Sequence, residues 1–195
     1  SNSQWIIQNI QTLNGGIFGL SLALDESDSP IFSYLDTAVN SELIYVGMNI
    51  SSNTWQTTIL DNGGGSGLGG SGPTSLLINE DGDKYVIYYA GNRVNVAQQI
   101  DGIWQTPYYV DAPTGGDSGR HISSDLDSFG MPRISYQSNL VNRAGWGLHH
   151  LRLLPDLWID SISPNNAELG DTVPVTITGD GFDMLPKYTK EIDIT

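Results

Sequence analysis

Ser21-Leu22-Ala23-Leu24-Asp25, then a polar turn, then Pro30-Ile31-Phe32-Ser33-Tyr34: this stretch decides the fold, because it returns twice. It comes back as Ser75-Leu76-Leu77-Ile78-Asn79, Glu80-Asp81-Gly82-Asp83 and Lys84-Tyr85-Val86-Ile87-Tyr88. It comes back again as Ser123-Ser124-Asp125-Leu126-Asp127, Ser128-Phe129-Gly130-Met131 and Pro132-Arg133-Ile134-Ser135-Tyr136. The Ser anchors (21, 75, 123) and the Tyr anchors (34, 88, 136) shift together, by 54 residues and then by 48. Two anchors moving in step define a repeat.

Each copy continues alike. An apolar strand follows at Leu43 to Met48, Val94 to Ile100 and Leu148 to Leu154. In the first two copies a Trp strand comes next, Trp55 to Asp61 and Trp104 to Asp111. One unit is therefore four short strands, A to D, joined by hairpins. Such a unit of roughly 40–50 residues, repeated, predicts the four-stranded blades of a β-propeller. Blade 1 is expected at about 19–61, blade 2 at about 75–111 and blade 3 at about 121–154. Glycine-rich joints separate the copies, among them the run Gly63 to Gly72. That run lacks the Lys-Ser/Thr ending of a phosphate loop and reads as an inter-blade connection.

The ends of the repeat do not balance. Trp5-Ile6-Ile7-Gln8-Asn9-Ile10-Gln11 matches the Trp strand with no A, B or C strand before it, and the third copy has no clear D strand. A displaced D strand at 5–11 complements the missing one, as when a propeller closes its ring. Three blades fall short of the roughly 4–8 of a propeller. The chain is expected to be either part of a longer propeller or one half of a six-bladed pair that exchanges first strands.

Composition bounds the function. The chain has 195 residues, 38% hydrophobic and only 15% charged, with 23 Gly. Small polar and β-branched residues favour turns and strands over helices. Asp and Glu outnumber Lys and Arg by 22 to 8, a formal charge of −14. Such a surface repels polyanions, which argues against nucleic acid as a partner. The chain contains no Cys, which removes disulfides, thiol catalysis and Cys-ligated zinc. No apolar run of about 18 residues exists to span a bilayer. Ser1-Asn2-Ser3-Gln4 shows neither initiator Met nor signal peptide and is expected to be a processed or cut end. Asn49-Ile50-Ser51 fits a glycosylation acceptor, a triplet that also arises by chance.

From Asp156 the pattern changes. Trp158-Ile159-Asp160-Ser161-Ile162-Ser163 reads as a strand stopped by Pro164. Gly170 to Phe182 alternates Val or Ile with Thr, a half-buried strand that turns at Gly179 and Gly181.

Two resemblances follow. The three copies resemble repeats of bacterial and archaeal extracellular β-propellers, of the form S-L-A-L-D, P-x-I-S-Y, then W. Ser21 to Asp25, Pro30 to Tyr34, Leu43 to Val46 and Trp55 to Asp61 carry the match; Lys84 and Ile87 depart from it. The tail resembles the start of an IPT/TIG immunoglobulin-like domain, on Ile159 to Pro164, Gly170 and Val173 to Phe182. Together they imply an all-β fold: blades over 1–155 and a partial Ig-like β-sandwich over 156–195. They also imply an extracellular or cell-surface location, and they are silent on activity.

Candidate chemistry is sparse. Asp25, Asp28, Asp81, Asp83 and Asp127 lie at or beside the A–B hairpins, where oxygen clusters can hold Ca²⁺. The same residues are what tight hairpins need, and Asn79 to Asp83 lacks the closing Glu of an EF-hand. No other cofactor is expected. His149 and His150 are adjacent on a strand and face opposite ways, so they cannot chelate one ion together. The Trp residues at D-strand positions read as blade packing, with sugar stacking as the alternative. Trp146, just before the third C strand, has no counterpart in the other copies and, with Arg143 nearby, is the best candidate for an exposed contact. No nucleophile elbow, sialidase box or other catalytic signature occurs. The expectation is a non-enzymatic, secreted or surface structural and interaction protein, assembling into oligomers or filaments by strand exchange. The alternatives are a carbohydrate-binding propeller and a fragment of a larger extracellular hydrolase.

Overall fold

The computed structural model describes residues 4–10, 15–37, 42–49, 52, 54–63, 72–111, 116–139, 146–153, 158–164 and 176–180. Among them the regular structure is entirely β, and every paired strand is antiparallel to its neighbour. The chain divides into two compact units, Ser1–Arg152 and Leu153–Thr195.

The first unit holds three sheets. Sheet 1 runs in chain order: β1 (Ile17–Leu24), β2 (Pro30–Asp36), β3 (Glu42–Asn49) and β4 (Thr54–Asp61). Sheet 2 runs β5 (Thr74–Ile78), β6 (Lys84–Ala90) and β7 (Arg93–Ile100), with β8 (Ile103–Trp104) and β9 (Tyr108–Asp111) both paired to β7. Sheet 3 runs β10 (Asp117–Leu126), β11 (Pro132–Asn139) and β12 (Trp146–Arg152). Among the described residues no fourth strand pairs with β12. The second unit shows one pair, β13 (Trp158–Ser163) with β14 (Thr176–Asp180); the rest of the expected Ig-like module, 156–157, 165–175 and 181–195, lies outside the described residues.

The repeat survives into three dimensions down to single pairs. Ser21 faces Ser33, Ser75 faces Ile87 and Ser123 faces Ser135. Tyr34 faces Ile44, Tyr88 faces Asn95 and Tyr136 faces His149. The three A–B hairpins are bonded identically. Asp28 N donates to Asp25 O, Gly82 N to Asn79 O and Gly130 N to Asp127 O, at 2.9, 3.1 and 2.9 Å. All three donors have positive φ, 59°, 82° and 73°, the left-handed position of a three-residue hairpin.

Three expectations need correction. The D strand of the second copy is broken into β8 and β9, because Pro107 has no N–H for the ladder. The third C strand begins at Trp146, so Trp146 lies within β12 and not ahead of it. Residues 4–10 belong to no strand in the single chain, and Trp5 is 99% exposed.

Sheet 2 lies between the other two. β5 packs on β1 and β2, and β10 packs on β5, β6 and β7. Consequently β6 is buried along both faces from Tyr85 to Ala90, whereas β11 alternates buried and half-buried residues. Ile31, Leu35 and Leu43 of sheet 1 meet Leu76, Val86, Tyr88, Ala90 and Ala97 of sheet 2 in the main core. The inner strands approach closely at Gly19, where a Cβ would sit 2.3 Å from Gly72 O. Only glycine fits there.

Candidate functional site

The interior joints between sheets define what each repeat position is built to meet. Ser21 Oγ accepts from Leu76 N at 3.0 Å, and Ser124 Oγ donates to Ser75 Oγ at 2.7 Å. Ser33 Oγ and Thr74 Oγ1, both buried, are 3.0 Å apart. At the rim a tyrosine of one sheet donates to the last Asp of the preceding sheet. Tyr88 OH bonds Asp61 Oδ2, and Tyr136 OH bonds Asp111 Oδ2 at 2.7 Å. Burial, and then the bonded carboxylate, push both phenols far above their ordinary range. This latch was missed in the sequence, although its parts recur there: a Tyr stands in each B strand, at 34, 88 and 136, and an Asp ends the Trp strands of the first two copies, at 61 and 111.

Among the described residues, two sheet faces of this first unit have no following or preceding sheet packed on them. On sheet 3, Leu148 and His150 point outward together with Trp146, by the two-residue alternation of β12. The register makes Leu148 the equivalent of Leu43 and Val94, and His150 the equivalent of Tyr45 and Val96. Leu43 and Val94 are 0% exposed; Leu148 is 86% exposed. On sheet 1, Leu20, Leu22 and Leu24 are the equivalents of Thr74, Leu76 and Ile78. Leu76 is 4% exposed against sheet 1, while Leu22 is 57% exposed. Part of this second face is covered by the N-terminal segment. Ile10 packs with Tyr34, Ile44 and Val46, and a groove of about 190 Å³ runs beside it over Ile17, Leu20 and Phe32.

The sequence-predicted residues fall in three places. Trp146 is half-exposed on the outer face of sheet 3, beside a cleft of about 350 Å³ lined by His121, Gln137, Gly147 and Leu148. Its expected companion Arg143 lies outside the described residues. The guanidinium over its ring is that of Arg120, 5.1 Å from the ring centre, which also bonds Asp117 at 2.6 Å. Of the Trp strands, Trp104 packs between sheets, against Tyr45 of sheet 1 at 5.1 Å, whereas Trp55 packs on Phe32 of its own sheet at 5.6 Å, on the outer face beside Ile10. His149 stacks on Tyr136 at 5.4 Å while His150 is exposed, so the two imidazoles do face opposite ways.

The acidic turns spend their oxygens on the chain itself. Asp25 Oδ1 accepts from Ser27 N and Ser29 N, both at 2.9 Å. Asp127 Oδ1 accepts from Phe129 N and Met131 N at 3.0 and 3.1 Å, and its Oδ2 accepts from Arg133 Nε at 3.0 Å. Desolvation raises the Asp127 carboxyl, but these N–H donors and the Arg133 charge outweigh it and hold the group below the ordinary carboxylate range. Asn79 fills the same place in the second turn, accepting from Asp81 N and Asp83 N at 3.1 and 2.8 Å. Asp83 Oδ1 accepts from Asp101 N at 3.0 Å. Asp25 and Asp81 line one shallow cleft with Glu26 and Lys84. Among the described residues no three His, Asp or Glu side chains cluster to hold a metal ion.

What the chain defines so far is a class: an all-β protein of stacked antiparallel sheets built on one repeat. No family model and no curated protein matches it. Among solved structures it is similar to an endo-arabinase and an endo-1,4-beta-xylanase, both from Bacteroides thetaiotaomicron. The arabinase is 14% identical over 79% of this chain, with a TM-score of 0.46. The xylanase is 16% identical over 90% of it, with a TM-score of 0.45. The chain spans 62% of the length of each.

Proposed function

We propose that this chain is a non-enzymatic structural and interaction protein of the cell exterior, built from β-propeller blades that are completed by strand exchange into oligomers or filaments. One observation carries the reading: the outer face of sheet 3 presents Leu148 almost fully to solvent, at the position where both interior joints bury an aliphatic side chain completely. Burying such a side chain is worth roughly 1.5–3 kcal/mol, so the open face favours association. The tail, in this reading, is an IPT-like spacer to a neighbouring module. Light scattering across a concentration series tests the proposal. Mass should rise above the 21.1 kDa of one chain; a monodisperse monomer at every concentration overturns it.

A second reading draws on Trp146. A half-exposed indole beside a cleft with the polar side chains Gln137 and His121 suits stacking on a sugar ring. A glycan array and calorimetry on Trp146→Ala decide it. Binding that disappears in the variant supports a carbohydrate-binding protein, and blanks across sugar classes reject it.

A further inference from the structure

The two open faces are the two halves of one joint. Resting on the self-association reading above, we propose that a second copy of this chain supplies the missing half to each face. Two chains then close into a ring of six sheets, and residues 4–10 of each copy form the fourth strand of the other copy's sheet 3.

The interior joints supply the occupant. Sheet 1 meets sheet 2 through Leu43 and Tyr45 on one side and Leu76 and Ile78 on the other. The outer face of sheet 3 offers the equivalents of the first set, Leu148 and His150. The outer face of sheet 1 offers the equivalents of the second set, Leu22 and Leu24. The surface that fits one open face is therefore the other open face, and a second copy carries it.

The N-terminal segment already occupies the required place. Trp5 and Ile10 stand 50 residues before Trp55 and Leu60. Leu60 leaves the edge strand of sheet 1 to pack against the core shared with sheet 2. Ile10 packs in the same way on the opposite face of sheet 1, as though it belonged to the edge strand of a preceding sheet. Yet residues 4–10 belong to no strand, and among the described residues no strand pairs with the outer edge of β12. Docking the outer face of sheet 3 onto sheet 1 of another copy brings that edge alongside residues 4–10. The open edge is then closed by backbone hydrogen bonds.

The register follows from the two complete sheets. Thr58 faces Tyr45 and Ile59 faces Ile44 in sheet 1; Tyr108 faces Val96 and Tyr109 faces Asn95 in sheet 2. The same offsets place Gln8 of one copy opposite His150 of the other, and Asn9 opposite His149. The joint is head-to-tail, and such joints close into a ring when the rotation permits. Three sheets from each of two chains make six, within the roughly 4–8 of closed propellers.

The chain has no Cys, so an engineered pair reports cleanly. Gln8→Cys and His150→Cys are made in separate chains, mixed and oxidised. Facing residues on paired strands hold their Cβ atoms about 4.5–5.5 Å apart, near enough for a disulfide after slight adjustment. The expected result is a covalent pair of the two variants, and a wild-type mass of two chains. Leu148→Asp and Leu22→Asp, both at exposed positions, should each leave the circular dichroism unchanged and give monomers. Mixing those two variants should restore a pair through the one intact joint. A two-chain species that forms no Gln8–His150 disulfide and survives Leu148→Asp overturns this joint while leaving self-association standing. A monomeric wild type overturns both. Open-ended growth beyond two chains overturns the closed ring.

Discussion

The interior joints and the outer faces of this molecule use the same repeat positions under opposite conditions. Leu43 and Leu148 are the same residue type in the same place on the third strand of a sheet, yet one is sealed and the other is in water. The difference lies in the neighbour, not in the residue. A surface selected only for solvent would replace such leucines with polar residues. Here the outer face of sheet 1 carries Leu20 where the interior equivalent is Thr74, so it is more apolar than the joint it resembles. Contiguous exposed apolar faces of this kind mark places where something docks.

The sharpest way to break this equivalence is to truncate both leucines. Leu43→Ala removes a fully buried side chain from the main core and should cost about 2–5 kcal/mol. Leu148→Ala should change the stability of the single chain by less than about 0.5 kcal/mol. Urea unfolding at concentrations where the chain is monomeric reads both. Equal losses would mean that Leu148 is already covered and that the outer face is not open.

Much of this was legible in the residues. The Ser and Tyr anchors predicted three equivalent sheets, and the structure places all six anchors on matching pairs. The sequence could not reveal which residues meet across joints, because that depends on how sheets face one another and not on spacing within a sheet. The Tyr–Asp latch was missed for this reason: Asp61 and Tyr88 lie 27 residues apart and on different sheets. The break at Pro107 was readable in principle, since proline cannot donate to a ladder, but the Trp and Val-Asp ends of that strand looked continuous. Trp146 stands half-exposed with Arg120 of β10 over its ring, a partner that spacing along β12 does not reveal; the expected companion Arg143 lies outside the described residues.

The latch gives the next test of interior against exterior. Tyr88→Phe and Tyr136→Phe each remove a phenol that donates to a carboxylate, and each should cost about 1.5–3 kcal/mol. Alkaline pH probes the same groups without mutation. Burial raises Tyr34 as well, with the Asp36 charge adding to it, to about 12. An unfolded tyrosine loses its proton near pH ~10. The folded chain therefore favours the neutral phenols, and their contribution is complete below pH ~10. It is lost as pH rises through the folded value, about 12 for Tyr34 and higher for Tyr88 and Tyr136. Urea midpoints should fall steadily above pH ~10, and less steeply in Tyr88→Phe. A flat profile would show that these phenols are not held away from water.

The smallest effect separates the hairpins, which all three sheets share whether interior or outer. Each turn places one residue at positive φ: Asp28 in sheet 1, Gly82 in sheet 2 and Gly130 in sheet 3. Nothing lies within 4 Å of a Cβ built on Gly82, so Gly82→Ala adds backbone strain without a clash. It should destabilise by about 1 kcal/mol, the cost of a Cβ in the left-handed region. Asp28→Gly should run the other way and stabilise, by less than 1 kcal/mol, because glycine gains the φ but loses entropy on folding. Thermal unfolding of the pair checks the sign. If both substitutions destabilise, the Asp28 side chain supports its turn beyond tolerating the angle, and the three hairpins are less alike than their hydrogen bonds. If the signs oppose as expected, the turns are interchangeable parts, and what distinguishes the sheets is only what each one faces.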